Sequence, residues 1–285
     1  MLLLRHMDTP KPRKQDAALS RSSHPSNPFI FTSKTVFMQR IGDAVRAGAL
    51  HYIHGTIKPD KAPFLVQKFA ARYLVNAGRM QDMRARKAGE DTARWLAWMN
   101  ENTGLVEWFL FYTPGKTICR EERWKQPWED RIHLTGYELV RLTKPGAKAP
   151  VITWRYTRDR YRELHDQIVF AIRGRQDAVL EQLNFSLSKS PGFAGVRDQV
   201  KGLWKITKDE WKRRRAKAEL MPSIPQNIGY VRRLPDAGAL WSELMQKTPQ
   251  KGASDGNEPT QTRRGKARKN SILVQPGLGG ASEKP

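Results

Sequence analysis

Leu105-Val106-Glu107-Trp108-Phe109-Leu110-Phe111-Tyr112 is the stretch at which the chain changes period. Apolar and aromatic side chains follow one another without the three-to-four-residue spacing of an amphipathic helix, and the run stops at Pro114-Gly115. That combination predicts a strand closed by a turn. Two more strands are expected downstream: Ile132 to Leu142, around Gly136-Tyr137-Glu138-Leu139-Val140, and Val151 to Tyr156. The linker Lys144-Pro145-Gly146-Ala147-Lys148-Ala149-Pro150 suits a hairpin loop and makes these two antiparallel neighbours. Upstream, Ala49 to Ile57 alternates like a strand and ends at the turn signal Lys58-Pro59-Asp60.

Helical spacing fills the intervals. Ser33 is a candidate N-cap for a helix carrying Val36, Phe37, Ile41, Ala44 and Val45, stopped by Gly48. A second helix starts around Ala62-Pro63, since Pro is tolerated in a first turn. Arg79 to Lys87 reads as a third, and Glu90 to Met99, with Trp95, Leu96, Trp98 and Met99, as a Trp-rich helix closed by Asn102-Thr103-Gly104. Helical period returns at Thr157 with Tyr161, Leu164, His165, Ile168, Val169 and Ile172, and continues through Val179, Leu180 and Leu183. Beyond Pro222 and Pro225 only a short helix from Ala237 to Met245 is expected.

The expected class is α+β: a small antiparallel sheet of about four strands with flanking helices, then a mainly helical C-terminal half. The chain reads either as one domain or as an α/β core at 29–157 followed by a helical region with a basic face at 158–245. Residues 1–28 and 246–285 are rich in Pro, Gly, Ser and cations without hydrophobic period, and read as disordered basic tails. The second holds Arg263-Arg264-Gly265-Lys266-Ala267-Arg268-Lys269.

Charge narrows the function. Fifty-one Lys and Arg stand against 28 Asp and Glu, a formal net charge of +23. A field of that size repels itself and is matched by a polyanion, above all by phosphate backbones that release condensed counterions on binding. The excess is also clustered. From Gly195 to Lys217, nine Lys or Arg face three acids, Asp198, Asp209 and Glu210. Val196, Val200, Leu203, Trp204, Thr207 and Trp211 form an apolar stripe there, and Arg197, Lys201, Lys205, Lys208, Lys212 and Arg215 a separate basic one. A solvated helix face ordinarily mixes signs, so the imbalance points to phosphate contact. Thr207-Lys208-Asp209-Glu210 also has the form of a capping box, which predicts a break into two helices. Lys68, Arg72, Arg84, Arg86 and Lys87 make a second basic set, with Lys61 and Arg79 beside them.

Other chemistries lack their residues. Cys119 is the only cysteine, which excludes an intramolecular disulfide and a cysteine-based zinc site and fits a reducing cytoplasm. In His51-Tyr52-Ile53-His54 two residues separate the histidines, so a strand sends the imidazoles to opposite faces and no paired metal site is expected. Glu107, Glu121, Glu122, Glu129, Asp130 and Glu138 match no two-metal spacing. A Walker A loop, a dinucleotide-binding glycine motif, a nucleophile elbow and His-Glu-x-x-His are absent from the sequence. No catalytic residue, cofactor or metal is expected, and no run reaches the length of a membrane span.

Lys61-Ala62-Pro63-Phe64-Leu65 with Lys68-Phe69, Arg86-Lys87-Ala88-Gly89, Gly136 to Arg141, Thr153-Trp154-Arg155 and Pro191 to Arg197 together resemble uncharacterised proteins of proteobacterial plasmids, conjugative elements and genomic islands. The resemblance covers roughly residues 48–215 and carries over no catalytic residue. It implies a mobile-element context, in which DNA replication, transfer and regulation are common tasks. The expectation is therefore a cytoplasmic, non-catalytic, nucleic-acid-binding protein, with DNA favoured over RNA as partner. A replication initiator or nicking enzyme, an RNA-binding protein using the strand aromatics, and a protein partner or second copy stay open beside it.

Overall fold

The computed structural model describes residues 24–75, 77–116, 122–143, 146 and 148–247. Its first sheet holds β1 (Phe29–Phe31), β2 (His51–Ile57), β3 (Thr92–Asn100), β4 (Leu105–Thr113) and β8 (Gly238–Leu240), in the order β2-β4-β3-β1-β8. A second has the order β5-β6-β7, from β5 (His133–Leu134), β6 (Tyr137–Leu142) and β7 (Val151–Tyr156). The helices are α1 (Lys34–Arg46), α2 (Ala62–Ala70), α3 (Arg79–Ala88), α4 (Arg158–Arg173), α5 (Asp177–Ser188), α6 (Ala194–Arg214) and α7 (Trp241–Lys247). The class is α+β. The larger sheet is mixed, because β1 runs parallel to β3 and antiparallel to β8.

The decisive strand pairs on both sides, with β2 from His51–Tyr112 to Ile57–Val106 and with β3 from Thr92–Thr113 to Asn100–Leu105. Here the Trp-rich run proves to be a strand and not a helix. Ala93, Trp95 and Ala97 enter the core on the α2 side, whereas Leu96 and Trp98 enter the core that includes α1 and α6. A strand covered on both faces loses the polar alternation that would mark it, so its period could not be read.

Three further expectations need correction. Ile132 to Leu142 is two strands, because Thr135 and Gly136 take φ of 42° and 80° and turn the chain back on itself. Most of the region from Gly195 to Lys217 is spanned by one unbroken helix, α6, of 21 residues from Ala194 to Arg214. The capping box does not form: Thr207 Oγ1 donates to the Leu203 carbonyl at 3.0 Å, and the Glu210 carboxylate lies buried among guanidinium groups. The short C-terminal helix begins only at Trp241, after β8.

The two halves of the chain share one core. Met38 and Ile41 of α1 pack in the same cluster as Trp154, Ile168, Val200 and Leu203, and Trp154 Nε1 donates to the Met38 carbonyl at 2.9 Å. Gly195 lets α6 sit directly on β7, since a Cβ there would lie 2.6 Å from the Trp154 carbonyl oxygen. After α6 the chain returns across α1 without regular structure. Buried Gln39 donates to Arg232 O at 2.6 Å and accepts from Leu234 N at 3.1 Å before β8 joins β1. Ser33 caps α1 as its sequence position suggests, and Thr157, where the helical period returns, proves to be the N-cap of α4. Residues 1–23 of the expected arm, Cys119 and the tail beyond Lys247 lie outside the described residues.

Candidate nucleic-acid interface

The outer face of α6 is built by helical arithmetic. At about 100° per residue, Lys201, Lys205, Lys208 and Lys212 fall within about 60° of arc and span about 16 Å along the axis. The apolar stripe from Val196 to Trp211 is buried on the other side, against β7, α4 and α5. All four lysines are exposed, and none makes an ion pair among the described residues. Neighbouring like charges at this spacing cost about 0.2–0.5 kcal/mol each, so the row is held in place by the packing beneath it and not by its own contacts. Asp198 and Asp209, both exposed, border the row on one side.

Arg197 and Arg215 do not belong to this surface. Both lie where the basic stripe meets the apolar one, next to Trp204 and Trp211, and the fold draws them inward. Arg197 is buried with its guanidinium 3.4 Å from the Tyr230 ring centroid. Buried Arg215 sits 4.4 Å from the Trp211 centroid and pairs with Asp177 and, at 2.7 Å, with Glu219. They are structural cations.

The second basic set is divided. Exposed Lys68 lies on α2, which packs in the core on the opposite face of the large sheet from α6, so the sheet stands between Lys68 and the α6 row. Arg72 pairs with Glu122 at 3.0 Å, and Arg86 with Asp82 at 3.3 Å while also donating to Ala47 O. Arg84 and Lys87 are exposed on α3, where Ala85 is buried.

Sequence reading missed a group near the C-terminal end of α6, around the helix from the lysine row. Arg173 of α4 converges with Arg213 and Arg214 of α6 on Glu210, at 2.8, 2.8 and 3.5 Å. The Arg173 hydrogen bond, opposed by burial and aided by the charges of all three arginines, holds the Glu210 carboxyl below the usual range. Helical spacing of 210, 213 and 214 was legible, but the arrival of Arg173 from 37 residues away was not.

The remaining candidates are occupied by the fold. Phe109, Phe111, Tyr112, Trp154 and Tyr156 are buried, Trp108 stacks on Trp95 at 5.2 Å and Tyr137 on Tyr156 at 5.0 Å. The strand aromatics are core. His54 stacks with Tyr52 and Phe109 on one face of β2, and His51 lies near Tyr112 on the other. Among the described residues no three His, Cys, Asp or Glu side chains are grouped to hold a metal, and no helix is long and apolar enough to cross a membrane. A cleft of about 460 Å³ opens beside the first turns of α6, lined by Thr153, Arg155, Tyr161, Asp198 and Gln199. Its polar lining is partly partnered already, Arg155 by Glu138 at 2.7 Å and Gln199 by both backbone groups of Tyr156.

Comparison with protein-family models, curated proteins and solved structures finds no match to this chain.

Proposed function

We propose that this protein binds DNA through its phosphate backbone, with Lys201, Lys205, Lys208 and Lys212 of α6 as the primary contacts. The observation that carries the reading is the row itself: four lysines on one face, without ion-pair partners among the described residues, on a helix whose opposite side is buried. Each such contact releases counterions, so binding is steep in salt and carries little base information. The net charge of +23 supplies long-range attraction to the same polyanion. Duplex is favoured over single strands because the strand aromatics that would stack on splayed bases are packed in the cores. The resemblance to mobile-element proteins supports a task in replication, transfer or regulation.

The test is binding of the full chain to duplex DNA, single-stranded DNA and RNA of equal length across a salt series. A preference for duplex is expected, with affinity falling steeply as salt rises. Tighter binding to single-stranded RNA would transfer the reading to RNA, and failure to bind all three would overturn it.

A further inference from the structure

We infer that Arg173, Arg213 and Arg214 form a phosphate-binding site held in place by the buried carboxylate of Glu210, near the C-terminal end of α6 and around the helix from the lysine row. This deepens the nucleic-acid reading and rests on it for the identity of the ligand. A buried carboxylate requires compensation, but one guanidinium in a forked pair supplies it. Glu210, only 5% exposed, receives three instead. The group is left with two more positive charges than negative ones, in side chains 52%, 64% and 52% exposed for Arg173, Arg213 and Arg214.

The geometry explains why that surplus can serve recognition. Glu210 Oε1 accepts from Arg173 Nε at 2.8 Å, and Oε2 accepts from Arg213 Nη1 at 2.8 Å. Each guanidinium carries five N–H donors, so most donors of the three arginines have no protein acceptor among the described residues. They are anchored on the inside and open toward solvent. α4 and α6 run parallel, as the approach of Tyr161 to Gly202 near one end and of Arg173 to Glu210 near the other requires. Two elements thus deliver the cations to one point, about 100° or more around α6 from the lysine row. Phosphate, with several strong acceptors around one atom, matches convergent guanidinium groups as neutral or singly accepting ligands do not. The phosphate is either internal to a strand or a strand terminus.

Net charge separates this site from bulk attraction. Glu210→Gln adds one positive charge to the protein. Undirected electrostatics then predicts tighter binding, whereas a site templated by the carboxylate predicts weaker binding. The experiment compares wild type, Glu210→Gln, Arg173/Arg213/Arg214→Gln and an equal-charge control, Arg158/Arg162/Arg232→Gln. The probes are one duplex with 5′-phosphate ends and the same duplex with 5′-hydroxyl ends, over a salt series, with folding checked by circular dichroism. The expected result is weaker binding for Glu210→Gln and about a tenfold loss for the Arg173/Arg213/Arg214 variant, with its salt slope reduced by about 0.9, the share of one phosphate. A loss confined to the 5′-phosphorylated probe assigns the terminal phosphate, and an equal loss on both assigns an internal one. Glu210→Gln binding as tightly as wild type, or a control loss equal to that of the site variant, overturns the inference while leaving the lysine row standing. If Glu210→Gln does not fold, the site variant and the control decide. If wild type binds no nucleic acid, the proposed function fails first, and the site is then tested by titrating inorganic phosphate against the Nε–Hε resonance of Arg173. Absence of a shift at saturation overturns it.

Discussion

The outer face of α6 and the α2–α3 surface hold similar cations in different arrangements. On α6 the lysines stand in one row without ion-pair partners among the described residues, on a helix seated in the main core. On α2 and α3, Arg72 and Arg86 are engaged by acids, while Lys68, Arg84 and Lys87 are scattered over helices interrupted by exposed Phe64, Met80 and Met83. Charge counts alone do not distinguish these regions. What differs is whether a rigid element holds the cations in register, and that decides whether phosphates can be met together or only one at a time.

The largest effect is expected where a basic-stripe residue turned inward. Arg215→Ala removes the ion pairs to Asp177 and Glu219 and the packing on Trp211, so a clearly lowered midpoint in denaturant unfolding is expected. A loss below about 1 kcal/mol would show that Arg215 is a surface cation like its lysine neighbours. Next comes the row. Changing Lys201, Lys205, Lys208 and Lys212 to Gln should leave stability nearly unchanged, weaken duplex binding on the order of tenfold to a hundredfold, and reduce the salt slope by about 3.6. The matching change of Lys68, Arg84 and Lys87 to Gln should weaken binding less than about threefold, an effect of bulk charge alone. Equal losses from the two variants would erase the distinction between the surfaces.

A pH series sharpens it further. The Glu210 carboxyl lies below its ordinary value near 4.5 in the folded chain. Its contribution to stability is therefore present above that value and is lost as pH falls through the folded value. Thermal melts of wild type and Glu210→Gln should differ by a constant amount near neutrality and converge in acid. A gap that persists unchanged at the lowest pH would show that the carboxylate charge is not what holds the arginines.

Much of this was legible in the chain, and what was not has physical causes. The strand at 105–112, the cap at Ser33, the return of helical period at Thr157 and the amphipathic period of α6 are local signals, and the fold keeps them. The run from Trp95 to Met99 failed because burial on both faces removes periodicity, and β1 and β8 are too short to carry a pattern. In the candidate interface the lysine row was readable because it depends on one helix. The inward turn of Arg197 depends on Tyr230, and the cluster on Glu210 depends on Arg173. Contacts between distant segments leave no spacing to read.

The most direct measurement is residue-by-residue lysine reactivity, by acetylation and mass spectrometry, with and without saturating duplex DNA. The four α6 lysines and Lys68 and Lys87 are all exposed in the free protein, so each set serves as the other's control. Strong protection of Lys201, Lys205, Lys208 and Lys212, with Lys68 and Lys87 reacting as before, is the predicted result. Protection of Lys68 and Lys87 while the α6 row stays reactive would contradict it and move the interface to α2 and α3.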